Sequence, residues 1–177
     1  MTEKLPDVVD NQTVTLICGS AAGDESAKAG YYYSHPTNQF WKVLHEADLT
    51  DRQIDPIDFK LVSNYGLGLT DLAKHVSGSD ESLRGRAYDP GTLRKKIEKF
   101  RPCFLAFNGK KPAECFLSTQ FDVRKPVCWG MQHECISIGR TRIFVLPSTS
   151  GANRRWWPAD GIEHWRKLAS LHKRMVK

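Results

Sequence analysis

The stretch LICGSAAGDESAKAGYYYSHPTNQFW, Leu16 to Trp41, decides the reading of this chain. The apolar run from Val14 to Cys18 that leads into it predicts a buried strand. Gly19-Ser20-Ala21-Ala22-Gly23 then ends that strand in small residues, which allow a ligand to approach the backbone closely. A polar loop and three consecutive tyrosines, Tyr31, Tyr32 and Tyr33, follow. If those tyrosines are extended, Tyr31 and Tyr33 point one way and Tyr32 the other. A turn at His35-Pro36-Thr37-Asn38 opens an amphipathic helix from about residue 36 to 47, carrying Phe40, Trp41, Val43 and Leu44. Strand, tight small-residue turn and aromatic cluster together predict a pocket for a flat polar ring.

Downstream, residues 55–65 predict a short helix with Ile57, Phe59, Leu61 and Val62 as its apolar members. Gly66 to Leu72 predicts a short second strand with Asp71 near its carboxyl end. Residues 73–88 read as a long loop bearing Lys74, His75, Arg84 and Arg86. Asp89-Pro90 starts a helix whose Leu93, Ile97 and Phe100 share one face. Residues 103–107 are a strongly apolar strand ending at Asn108-Gly109-Lys110, before a helix at about 112–117. Two strands, 135–138 and 142–146, join through Gly139-Arg140, and the second stops at Pro147. The last helix, about 158–176, turns Ile162, Trp165, Leu168, Ala169 and Leu171 inward. Strands alternating with helices imply a single-domain, three-layer α/β/α sandwich with a largely parallel sheet. It spans residues 13–177 after a short lead-in, 1–12. Ligands of such sheets bind beyond the carboxyl ends of the strands. The suspects are therefore Gly19–Gly23, Asp71, Asn108 and residues 147–155.

The 177 residues carry a formal net charge of +6 and are 40% apolar, enough for a real core and compatible with a polyanionic partner. No run of about 18 apolar residues occurs, so no membrane span or membrane partner is expected. The five cysteines, Cys18, Cys103, Cys115, Cys128 and Cys135, contain no CxxC spacing, which argues against zinc or iron–sulfur centres. Cys18 and Cys103 are read as small buried hydrophobes. The reducing cytoplasm is the expected compartment.

These strand ends carry a pattern that resembles the uracil-DNA glycosylase superfamily, most closely its mismatch-specific uracil/thymine branch. Gly19–Gly23 stands where that branch has GINPG. Ser34 to Lys42, SHPTNQFWK, resembles AHPANRFWK, and Leu146 to Arg154, LPSTSGANR, resembles LPNPSGLSR. Gly68 to Leu72 resembles GVTKL, and Gly109-Lys110 follows the third strand as in GKQA. The match covers nearly the whole chain in order.

The resemblance implies extrusion of a nucleotide from uracil-containing DNA, because a stacked base cannot be reached. It gives Tyr33 the role of stacking on the flipped base, with Gly19, Ser20, Ala21, Ala22, Gly23 and Asn108 positioning it. Ser148, Ser150, Gly151, Ala152, Asn153, Arg154 and Arg155 form the loop that enters the DNA. Ala152 stands where the branch has its leucine wedge, so Asn153, Arg154 or Arg155 are expected to fill the gap instead. The first motif departs from the family: Ala21 stands where an Asn or Asp orients water. Asp71 is the expected replacement, either reading the base edge or activating water, and the catalytic role is favoured here. Asp24 and Asp80 are reserves.

His35 is read as a turn residue, His75 as a phosphate or solvent contact, and Trp156 and Trp157 as the start of the last helix. The expected activity is monofunctional hydrolysis of uracil from DNA, leaving an abasic site for downstream repair enzymes. The expected enzyme is a monomer, requires no cofactor or metal, and acts in the cytoplasm at the bacterial nucleoid. The rival is a silent module that binds damaged or abasic DNA.

Overall fold

The computed structural model describes residues 2–78, 83, 87–124, 126–152 and 157–176. In chain order its elements are β1 (Thr15–Ala22), α1 (Asp24–Ala29), α2 (Phe40–Glu46), a 3-10 helix (Pro56–Tyr65), β2 (Leu67–Ser77), α3 (Pro90–Phe100), β3 (Phe104–Asn108), α4 (Lys110–Phe121), β4 (Gly130–Met131), β5 (Ser137–Ile138), β6 (Thr141–Leu146) and α5 (Gly161–Lys173). The sheet runs β2-β1-β3-β6-β4, with β5 also on β6. β2, β1, β3 and β6 are parallel, whereas the two-residue strands β4 and β5 are antiparallel to β6.

The strand alternation sorts the core into two layers. Ile17, Ala106 and Phe144 pack with Phe40, Leu44, Trp165 and Leu168 of α2 and α5. Leu16, Cys18, Leu105, Phe107 and Val145 face the other way, onto Leu93 and Ile97 of α3 and Phe116 and Leu117 of α4. This is the expected three-layer sandwich with its largely parallel sheet. Asp89 caps α3 as its sequence position predicts, accepting from the Thr92 amide at 2.9 Å.

Several local expectations are corrected. β1 and β2 are longer than their apolar runs, because each supplies the other's ladder through polar and small residues. Gly19 pairs with Asp71 and Ala21 with Ala73 before an irregularity at Ala22. Gly19 to Ala22 are therefore strand and not turn, and Asp71 lies in mid-strand. Residues 73–77 belong to β2, not to a loop. Residues 24–29 form α1 in place of the expected polar loop. Tyr31 to Tyr33 are a turn, so the strand alternation proposed for them fails. Ile57 is 58% exposed and contributes nothing to the core. Cys103 is only half-buried.

The N-terminal residues pack against the free edge of β2. Val8 and Leu69 exchange amide hydrogen bonds at 2.9 and 2.8 Å, and the Lys4 amide donates to the Lys74 carbonyl at 2.8 Å. This covers backbone groups that an edge strand otherwise exposes.

The C-terminal helix is tied to the sheet by His172, which is 2% exposed. Its Nε2 donates to the Tyr65 carbonyl at 2.8 Å, leaving Nδ1 to accept from the Thr15 hydroxyl at 2.8 Å. Burial pushes its pKa below the usual value of 6.5, outweighing the upward pull of the Tyr65 carbonyl. The unfolded chain thus binds the proton more readily. Stability is expected to be fully present above pH 6.5 and to fall as the pH drops through 6.5 towards the lower folded value. Denaturant unfolding between pH 8 and 5, compared with His172→Gln, checks this: the stability difference between parent and variant should be constant above pH 6.5 and shift against the parent as the pH falls below it, the separate trend set by Asp71 being common to both.

Among the described residues no helix is long and apolar enough to cross a membrane.

Candidate active site

The side chains of Asp71 and Tyr33 converge on one point. A Cβ added to Gly19 would stand 2.6 Å from Asp71 Oδ1 and 3.1 Å from the Tyr33 hydroxyl. A glycine at 19 is what leaves this space open. The point lies where β1 loses its second neighbour, since β3 pairs with β1 only over Thr15 to Cys18. Beyond Cys18 the β3 side of β1 is unpaired within the sheet, and the Gly19–Ala22 backbone on that side can meet a ligand. Gly23 is exposed and caps α1.

Asp71 is 5% exposed. Burial raises its carboxyl to about 7, against the downward pull of Lys74; Asp7 adds to the rise and Lys96 opposes it. A carboxyl poised there exchanges its proton near neutral pH, the condition for general acid–base work. Asp24, the first reserve, is exposed at the start of α1, where its Oδ1 accepts from the Ser77 hydroxyl at 2.7 Å. Asp80, the other reserve, lies outside the described residues, as do Arg84 and Arg86.

Tyr33 is held in a left-handed conformation, φ 53°, which costs a non-glycine residue about 1–2 kcal/mol. Its ring stacks on buried Phe40, with centroids 3.8 Å apart and planes 23° apart. Phe40 thus backs one face of Tyr33 and fixes the ring's plane. The hydroxyl is buried and makes no hydrogen bond of good geometry, although the Asn108 amide is its neighbour. Burial, then the Asp71 charge, drive its pKa far upward, so it stays a neutral phenol.

Asn108, at the end of β3, is 8% exposed and locks the loop that follows β6. Its Oδ1 accepts from the Thr149 amide at 3.0 Å and its Nδ2 donates to the Thr149 hydroxyl at 2.9 Å. Asn108→Leu should leave the buried Thr149 amide unpaired, cost about 1–3 kcal/mol in denaturant unfolding, and weaken any activity that needs this loop in place.

Two loops meet beside the site. The Gln39 amide donates to the Thr149 carbonyl at 2.9 Å. A Cβ on Gly151 would fall 2.0 Å from Thr37 Oγ1 and 2.9 Å from the Thr37 carbonyl oxygen. The SHPTN turn and the PSTSG loop are therefore one unit. His35 serves the turn, accepting from the Thr37 amide at 3.2 Å, as its position predicted. Asn38 Oδ1 accepts from the Phe40 amide at 3.0 Å. Ser148 and Ser150 are half-buried, and the Ser148 hydroxyl accepts from the Ser150 amide at 3.3 Å. Ala152 is exposed at the tip. Asn153, Arg154, Arg155 and Trp156 lie outside the described residues. A cavity of about 250 Å³ opens between α2 and the start of α5, lined by Gln39, Val43, Thr149, Trp157 and Ile162; Asp71 and Tyr33 do not reach it.

Sequence reasoning missed three contributors. Phe40 is expected only as helix core, yet its ring stacks under Tyr33. Thr149 lies inside the LPSTSG stretch, where no local pattern signals its pairing with Asn108. Lys74, expected in a loop, is 7% exposed on β2; LTDLAKHVS has no two-residue alternation to announce that the strand continues, and its pairing with β1 is what makes it strand.

No group of three or more His, Cys, Asp or Glu among the described residues could hold a metal ion. The family description "Uracil DNA glycosylase superfamily" matches residues 6–169. A solution NMR structure of a candidate uracil DNA glycosylase from Methanosarcina acetivorans is similar over 96% of this chain and 96% of that one. Its TM-score is 0.63 at 26% identity. On the residues matched and the fold shared, this chain belongs to the uracil DNA glycosylase superfamily.

Proposed function

We propose that this protein is a monofunctional DNA glycosylase that hydrolyses uracil from DNA and leaves an abasic site. The observation that carries the reading is the buried Asp71 carboxyl, held near pH 7 beside the Tyr33 hydroxyl over the open position at Gly19. Basic side chains hold the phosphates, a mainly electrostatic and salt-sensitive attraction. Residues 148–155 enter the duplex and displace the base. The flipped base stacks on Tyr33, a contact worth roughly 1–3 kcal/mol, and meets the unpaired edge of β1. As the C1′–N1 bond breaks, uracil leaves with the bonding electrons as its anion, and the charge of ionised Asp71 steadies the oxocarbenium-like centre. Asp71 then takes a proton from the water that adds to C1′, and that proton passes on to the departed uracil anion. Tyr33 and Asp71 thus divide binding from chemistry.

By this reading the enzyme works as a monomer in the cytoplasm, needs no metal or cofactor, and stands closest to the mismatch-specific branch. Enzymes that process abasic sites take its product. The test is an excision assay on single- and double-stranded uracil DNA. Free uracil with an uncut, alkali-sensitive strand is the expected outcome. Binding to the same DNA with no uracil release at high enzyme concentration would favour a silent binder instead, a reading to which the absence of an amide at Ala21 lends some weight.

A further inference from the structure

Thr70, the neighbour of Asp71 on β2, is tied to a buried ion cluster that the proposed reaction does not itself use. Lys74 Nζ donates to Asp7 Oδ1 at 2.8 Å, to the Leu5 carbonyl at 2.6 Å and to the Tyr32 hydroxyl at 3.1 Å. Its three protons are therefore all engaged within the protein. Asp7 Oδ1 also accepts from the Thr70 hydroxyl at 2.7 Å, and its Oδ2 meets Lys96 of α3, which reaches Thr70 Oγ1 at 3.3 Å. The side chains of Lys74, Lys96 and Asp7 are 6%, 16% and 17% exposed. Glu3, half-exposed, sits 3.9 Å from Lys74 at the rim.

Counting only the buried members, two lysines face one aspartate and leave one positive charge in excess; Glu3 answers it from the solvent rim, and an ionised Asp71 answers it from the interior. The other titratable groups around Asp71 are Cys18 of β1 and Tyr32 and Tyr33 of the turn, all kept neutral chiefly by burial. Among the described residues the cluster is thus the main source of fixed charge acting on Asp71. It exists only because the N-terminal segment lies along β2 and carries Asp7 to that position.

We propose that Asp7 and Lys74 are positioning residues for the glycosylase reaction, setting, in opposite senses, the field in which Asp71 works. This rests on the reading of Asp71 as the reacting carboxylate. Lys74 favours its ionised form and Asp7 opposes it. A purely structural ion pair would behave differently, since loss of either partner breaks the same bond.

The experiment follows the Asp71 carboxyl directly, by carbon NMR of aspartate-labelled protein across pH, alongside single-turnover excision. Lys74→Met should move the titration of Asp71 upward, and Asp7→Asn downward, each on the order of one pH unit. The acid limb of excision should move with them. Lys74→Arg should restore the original midpoint, and Lys96→Met, which keeps the Asp7–Lys74 pair, should give a smaller upward shift if Lys74→Met fails to fold. Shifts of the same sign, or none, would overturn the proposal. Full excision by Asp71→Ala would sink the underlying reading instead, and the carboxyl titration is independent of that result.

Discussion

Asp71→Ala should lower single-turnover excision of uracil by about 10²–10⁴-fold, the range expected for a positioned acid–base group, with binding to uracil DNA retained. The reasoning is geometric first: the carboxyl is buried and one oxygen stands 2.6 Å from a Cβ built at Gly19. Folding should respond in the opposite direction. Asp71 titrates at about 7 when folded, against an ordinary value of 3.8. A carboxyl raised in this way is satisfied below pH 3.8, and its contribution is lost as the pH rises through 7. Ionising it in the folded protein therefore costs stability, on the order of a few kcal/mol at pH 8. Asp71→Asn should unfold at a higher denaturant concentration than the parent at pH 8, and this advantage should vanish near pH 4. A group that weakens the fold where it is charged is understandable at a site selected for activity.

Gly19→Ala is expected to have the second-largest effect. The added methyl lands on the Asp71 carboxylate and crowds the Tyr33 hydroxyl. Neither side chain has room to retreat, since Asp71 is buried and the Tyr33 ring is stacked on Phe40. Overpacking of this kind costs about 1–3 kcal/mol, so the variant should fold and bind DNA. Excision should nonetheless drop at least tenfold, because the methyl occupies the space where the base and water must meet Asp71. Gly91→Ala, in α3 and outside the site, is the control: a Cβ there meets only Asp89 Oδ1 at 3.6 Å, an ordinary contact, and no loss of excision is expected.

The sheet was legible because buried parallel strands are written as apolar runs: residues 14–18, 103–107 and 142–146 could hardly be anything else. What was illegible is where two strands extend each other through residues with no apolar signature. Gly19 to Ala22 looked like a turn, and Ala73 to Ser77 like a loop, because each stretch is strand by virtue of its partner. That error displaced Asp71 from mid-strand to strand end and hid Lys74. The pairing of Asp71 with Tyr33 could be suspected from the sequence only through the family resemblance. Their convergence over Gly19 needed coordinates, since 38 residues separate them. Asn108 was noticed as a strand-end amide, yet its lock on Thr149 depends on a loop some 40 positions later, which no local pattern encodes.

The most direct measurement is the single-turnover rate of uracil release as a function of pH, for the parent and for Asp71→Asn. The parent rate should rise with pH through a midpoint near 7, following ionisation of Asp71, and then level off. Asp71→Asn should be slower throughout, with no step in that window. A parent rate that is flat between pH 5.5 and 8.5, or an Asp71→Asn rate equal to the parent's plateau, would contradict the assignment of the reaction to Asp71.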